Sequence, residues 1–142
     1  MKELKVKPFL TYQIPVRKKE RSWRAWGGIQ TKEDLNEEIN RINKEIKELL
    51  PKIKFPCKIL PLTPIEDKNK IDSEEINSSD VLLIYAAGGS VDILEKLTSY
   101  GKPAIFFIRH RSGPIYLWYE IIHPRFLCKH TDEISRENVS IE

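Results

Sequence analysis

The apolar positions of the chain follow two rhythms, and the alternation between them predicts a layered α/β protein. Between Thr31 and Pro51 the apolar residues Leu35, Ile39, Ile42, Ile46 and Leu49 step by four, three, four and three. That spacing draws one stripe along a helix. Thr31 and Asp34 are placed as a capping box at its start, and Pro51 marks its end. Asp80 to Ala87 instead carries the unbroken run Val81-Leu82-Leu83-Ile84-Tyr85-Ala86-Ala87, as a strand buried on both faces does. Ala104 to Ile108 is of the same kind. Lys5 to Val16 reads as the first strand from its β-branched and aromatic residues, and Cys57 to Leu62 as the second, bounded by Pro56 and Pro64.

The remaining elements fall between these. Arg17 to Gln30 is a long polar loop containing Trp23, Trp26, Gly27 and Gly28, and Ser73 to Asn77 forms a short helix. Gly88-Gly89 turns the chain into a helix capped by Ser90, with Val91, Leu94 and Leu97 on one face; Gly101 ends that helix, with Pro103 just beyond. Arg109 to Gly113 is a loop, and Pro114 opens a helix over Ile115 to Ile122 that stops before Pro124. Phe126 to Cys128 is expected to form a short fifth strand. Residues 1–132 are expected to make a single domain and residues 133–142 a polar tail. Strands alternating with helices through short connections predict a three-layer flavodoxin-like or Rossmann-like domain. Its sheet is mainly parallel, has four to five strands, and runs in the order 2-1-3-4-5.

Composition narrows the class. No apolar run approaches the roughly 18 residues needed to cross a bilayer, and Met1 to Pro8 has no apolar segment of the signal-peptide kind. The expected location is therefore the cytoplasm, with no membrane partner. The net charge of +3 is too small to suggest a nucleic-acid partner. Cys57 and Cys128 lack any CxxC spacing and sit among apolar residues, so both read as buried thiols. They form no zinc pattern with the dispersed histidines, and neither His123 nor His130 has an acidic partner at i+4, so no metal site and no cofactor are expected. The wealth of Lys, Glu and Ile beside a single Met leans towards a heat-adapted source.

In an open parallel sheet, ligands bind beyond the carboxyl ends of the strands, where the strand order reverses. Three loops should meet there. The one after the first strand carries Trp23 and Arg24, within the cluster Arg17, Lys18, Lys19, Arg21 and Arg24. The second is Gly88-Gly89-Ser90, leading into a helix N-terminus whose free N–H groups favour an anion or a hydroxyl. A tight strand-to-helix turn also needs glycine, and serine is a standard cap, so a purely structural role competes equally. The third loop, Arg109-His110-Arg111-Ser112, carries more information: guanidinium forks match carboxylate or phosphate, and His110 titrates near neutral pH. Trp23 and Trp26 suit a binding or docking surface, whereas Tyr116, Trp118 and Tyr119 on a helix suit a core or subunit interface.

Ser79-Asp80-Val81-Leu82-Leu83-Ile84-Tyr85, Gly88-Gly89, the helix with Leu94 and Leu97, Gly101-Lys102-Pro103 and the helix Ile115 to Ile122 together resemble the amino-terminal domain of the L-fucose/L-arabinose isomerase-like proteins. The resemblance covers about a third of the chain. It implies a flavodoxin-like or Rossmann-like module that helps form a sugar site, with the metal and the acid/base carboxylates in later domains. An Asp-led apolar strand, a Gly-Ser turn and Gly-Lys-Pro also resemble the nucleoside 2-deoxyribosyltransferase-like proteins. That family uses an early helical glutamate as nucleophile; the nearest acids here are Asp92 and Glu95.

The expectation is thus a sugar- or sugar-phosphate-binding domain without the metal-dependent catalytic part. Arg109, His110, Arg111 and Ser112 would hold polar or anionic groups, Gly88, Gly89 and Ser90 would supply donors, and Trp23 with Arg24 would close over the ligand. The alternatives are an assembly module that docks further copies or a separate catalytic subunit, and a deoxyribosyltransferase-like enzyme. Whether the chain is an enzyme stays open at this point.

Overall fold

The structure, a computed structural model, describes residues 2–16, 19, 29–108, 126 and 139–141. Strand β1 (Leu4–Thr11) lies inside one parallel sheet, with β4 (Val81–Ala86) on one side and two short strands, β2 (Cys57–Ile59) and β3 (Thr63–Ile65), on the other. β2 pairs with the start of β1 and β3 with its end, so the two occupy a single broken position at the sheet edge. β5 (Ala104–Ile108) follows β4, and β6 (Val139–Ile141) completes the sheet. Counting the broken strand once, the order is 2-1-3-4-5 and every described pairing is parallel, as the sequence predicts.

Helices cover both faces, which is why β4 can be apolar on both. Helix α1 (Lys32–Leu49) lays Ile42 and Ile46 over Leu10, Tyr85 and Ala87. On the opposite face Ile76 of α2 (Ser73–Asn77) and Ile93, Leu94 and Leu97 of α3 (Val91–Thr98) pack on Phe9, Leu82, Ile84 and Phe106. Truncating a fully buried isoleucine such as Ile42 or Ile93 to alanine removes packing worth about 2–5 kcal/mol. The expected box at the head of α1 is formed: Asp34 N–H donates to Thr31 Oγ1 at 3.1 Å, and Thr31 N–H donates back to Asp34 Oδ2 at 3.1 Å. Asp34 Oδ2 also accepts from Gln30 N–H at 3.0 Å, fixing the entry to the helix.

Several expected boundaries move. The first strand stops at Thr11 rather than Val16, because its neighbours β3 and β4 end at Ile65 and Ala86 and nothing further offers a ladder. The second strand breaks around Pro61, whose carbonyl accepts from Lys7 Nζ at 2.6 Å instead of from a strand. Pro64 sits within β3, where the edge position spares its missing N–H. The strand beside β5 is Val139–Ile141, within the stretch expected to be a polar tail, and of the expected strand Phe126 to Cys128 only Phe126 lies among the described residues. Phe126 is helical and fully buried, meeting the Phe106 ring edge-on at 5.4 Å. Leu49, at the end of the α1 stripe, is 46% exposed.

The amino end of the sheet is closed by side chains. Asp80 Oδ2 accepts from Lys5 N–H at 2.9 Å while Asp80 N–H donates to Lys5 O at 2.8 Å, a reciprocal clasp between β1 and β4. That backbone hydrogen bond, with Lys2 and Lys102 nearby, holds the Asp80 carboxyl below its usual range. Ser79 and Lys102 complete the clasp: Ser79 Oγ donates to Ile76 O at 2.7 Å, and Lys102 Nζ donates to Ser79 O at 2.7 Å. Ser79-Asp80 and Lys102, carriers of the family resemblance, are thus structural here.

Candidate functional site

β1 leads to α1 on one face of the sheet, and β4 leads to α3 on the other. The two helices therefore lie on opposite faces, and the carboxyl ends of β1 and β4 mark the crevice position where strand order reverses and open parallel sheets bind ligands. β5 ends at Ile108 in register with Ala86, at the same rim.

The β4 side of the crevice is the Gly88-Gly89 turn. Both glycines have positive φ, 141° and 98°, that side chains with a Cβ rarely adopt. A Cβ on Gly89 would stand 3.3 Å from Tyr12 O and 3.3 Å from Ile93 Cδ1, and one on Gly88 would stand 3.5 Å from Gln13 N. The turn thus presses against the chain leaving β1, and close backbone approach explains the glycines. Ser90 occupies the N-cap position of α3 with extended backbone, but its side chain makes no capping hydrogen bond, contrary to the expectation that it caps the helix. Its hydroxyl is exposed and not spent on the helix, whose first turn carries Asp92.

The β3 side of the crevice is built by Glu66. Ile14 N–H donates to Glu66 Oε1 at 3.4 Å, and the Glu66 carboxylate lies near enough to the Tyr12 phenol to act on its titration. Burial first, then the Glu66 charge and its hydrogen bond, raise the Tyr12 phenol above its ordinary range. Tyr12 is half-buried against the α1 layer, and Glu66 is exposed. Beneath them, Thr11 ends β1 with its side chain on the α3 face. It is 1% exposed, and its Oγ1 finds no hydrogen-bond partner among the described residues.

Lys68 ties the loop after β3 to α3. Its Nζ lies 3.2 Å from Asp92 Oδ2, and Lys96 Nζ donates to Lys68 O at 2.9 Å. The Lys68–Asp92 pair is exposed and worth little in stability. It does occupy Asp92, one of the two acids that a transferase reading would use as nucleophile. Cys57, expected to be buried, is half-buried on the edge strand, where burial and the Glu3 charge push its thiol up.

Of the site residues expected from sequence, Gly88, Gly89 and Ser90 stand at the crevice. Trp23, Arg24, Arg109, His110, Arg111 and Ser112 lie outside the described residues, as does Cys128. Tyr12 and Glu66 escaped the sequence reading. Tyr12 was absorbed into an overlong first strand, and Glu66 sits in a polar stretch with no motif. The available signal was the position of Glu66 two residues after Pro64, which bounds the second expected strand, so a carboxylate falls near a strand's carboxyl end.

Fold and crevice define an open parallel α/β protein of the flavodoxin-like or Rossmann-like kind. The chain matches no family model, no curated protein and no solved structure. Among the described residues, no helix is long and apolar enough to cross a membrane.

Proposed function

We propose that the chain is a sugar- or sugar-phosphate-binding α/β domain related to the amino-terminal domain of sugar isomerases, with its ligand in the crevice at the carboxyl ends of β1 and β4. The observation that carries this reading is the convergence of Tyr12, Glu66, Gly88, Gly89 and Ser90 on the point where β1 and β4 send their helices to opposite faces. These supply hydroxyl, carboxylate and backbone groups of the kind that hold a polyhydroxylated ligand. The segment Arg109 to Ser112 follows directly on Ile108 in the sequence and adds donors for an anionic group. The resemblance to the isomerase module points to the same ligand class.

Calorimetry with sugars and sugar phosphates tests the reading. Wild type is expected to bind a member of the panel, and Ser90→Ala, Arg109→Ala and Arg111→Ala to bind it more weakly. Equal affinity in all four proteins would overturn the residue assignment.

A second reading, an assembly module for further copies or a separate catalytic subunit, draws on the opposite end of the sheet. There Leu49, Leu50 and Phe55 are 46%, 38% and 50% exposed at and just after the end of α1. A subunit count in solution separates the readings: a ligand-bearing monomer favours the first, and a ligand-free oligomer the second.

A further inference from the structure

At the amino end of the sheet the chain passes from α1 to the edge strand β2 through an exposed apolar segment. A single 3-10 turn, Leu50–Lys52, follows α1, Ile53 is extended, and Lys54-Phe55-Pro56 leads into β2 at Cys57. Three of the five large apolar side chains that stand exposed among the described residues lie here, Leu49, Leu50 and Phe55. An open groove of about 330 Å³ beside them, lined by Ile46, Leu50, Ile59 and Leu62, continues the apolar surface along the sheet edge. Single exposed apolar residues are ordinary, whereas a contiguous group marks a contact surface.

The charge around this patch has one dominant sign. From Leu49 to Leu62 the chain carries Lys52, Lys54 and Lys58 and no acidic residue. The β1–β2 register sets Lys5 directly beside Lys58, and like charges on neighbouring strands repel. All four lysines are exposed, and none forms an ion pair among the described residues. Two acids, Glu48 next to Leu49 and Glu3 beside Cys57, stand at the margin. A surface with apolar tips and cations around them calls for an occupant that is anionic at its face and apolar within.

The composition of the patch separates the candidates. A second copy meeting the first through the same surface would set one copy's lysines against the other's. Protein contacts are rich in arginine, tyrosine and tryptophan and poor in lysine, yet every cation from Leu49 to Leu62 is a lysine. Lysines suit a bilayer, because their ammonium groups reach headgroup phosphates while their stems lie along the acyl boundary. We propose that this corner of the fold docks on an anionic lipid bilayer. Leu49, Leu50 and Phe55 enter the boundary between headgroups and acyl chains, and Lys52, Lys54 and Lys58 meet lipid phosphates. Docking at the interface needs no spanning helix, so it replaces the expectation of no membrane partner, which rested on the lack of an apolar run. The crevice lies at the opposite end of the sheet, so the docking stands apart from the sugar-binding reading.

The test is flotation of the full chain with two kinds of vesicle, phosphatidylcholine alone and phosphatidylcholine with phosphatidylglycerol in equal parts. Wild type is compared with Phe55→Ser and with the double variant Lys52→Glu/Lys54→Glu. All three positions are exposed, and matched thermal melting confirms that the proteins are folded. The expected result is binding to the mixed vesicles that falls with added salt and exceeds binding to phosphatidylcholine alone. The double variant should weaken it at least about tenfold, and Phe55→Ser at least about threefold. No binding to the mixed vesicles, equal binding to both compositions, or binding unchanged in both variants would overturn the proposal. A wild-type oligomer that Phe55→Ser dissociates, without vesicle binding, would also overturn it and assign the patch to a protein contact.

Discussion

The Glu66 carboxylate, just past the end of β3, accepts the N–H of Ile14 at 3.4 Å, so one side chain holds the chain as it leaves β1. The negative charge beside the phenol adds to burial in keeping it protonated. A phenol whose folded value is raised contributes stability that is complete below its unfolded value of about 10 and is lost as pH rises through the folded value. Glu66→Gln should bring the Tyr12 titration down towards the ordinary range, leaving only the part due to burial. Carbon NMR of ring-labelled tyrosine, with Tyr12→Phe to assign the resonance, reads this directly. An unchanged titration would mean that the carboxylate does not act on the phenol.

Lys7 is 3% exposed, and its Nζ is shared among Pro61 O at 2.6 Å, Thr63 Oγ1 at 2.8 Å and Glu75 Oε1 at 3.3 Å. Glu75→Ala removes the counter-charge but leaves two acceptors, and should cost about 1–3 kcal/mol. Lys7→Ala leaves the Pro61 carbonyl without its donor and strips the packing of the lysine over the Phe9 ring, 5.3 Å away, so it should cost more. Urea unfolding of both variants checks the order; a smaller loss for Lys7→Ala would contradict it.

Gly89 and Gly101 both have positive φ, 98° and 68°, but different surroundings. A Cβ at Gly101 meets nothing within 4 Å, so Gly101→Ala should cost only the left-handed backbone term of about 1–2 kcal/mol. Gly89→Ala adds contacts at 3.3 Å with Tyr12 O and Ile93 Cδ1 to a conformation further from any a side chain favours, and should cost more. Thermal melting of the two variants tests this, and equal losses would show that crowding at the β1–β4 crevice is unimportant.

The Thr11 hydroxyl is buried without a described partner, so Thr11→Val exchanges it for a methyl group of nearly the same shape. Stability should rise by up to about 1 kcal/mol. A loss of stability in the same melting experiment would indicate that the hydroxyl is satisfied.

The layered fold was legible because its strongest elements carry their signals locally. The Ile42 and Ile46 stripe, the Thr31–Asp34 box and the run from Val81 to Ala87 each need only neighbouring residues to be read. The Gly101 turn was legible for the same reason. What escaped depended on distant partners. Strand β1 ends at Thr11 because β3 and β4 end beside it, a limit that Ile14 and Val16 do not announce. Strand β2 breaks because a lysine far along the chain takes the Pro61 carbonyl. Val139–Ile141 is three residues in a polar stretch, too short to stand out against its flanks, whereas the apolar Phe126 serves the core from a helix. At the site, glycine and serine drew attention through their turn chemistry. Glu66 acquires its meaning only from Ile14, 52 residues earlier, which the fold brings beside it.

Native mass spectrometry of the purified full chain, reporting subunit count and bound small molecules together, tests the sugar-binding claim most directly. The account predicts a species whose added mass equals that of a sugar, retained from the host or taken up from added L-arabinose, L-fucose or D-ribose, and reduced in occupancy by Glu66→Gln. A chain that carries no small molecule, takes up none of the three sugars and assembles into a defined oligomer would contradict it.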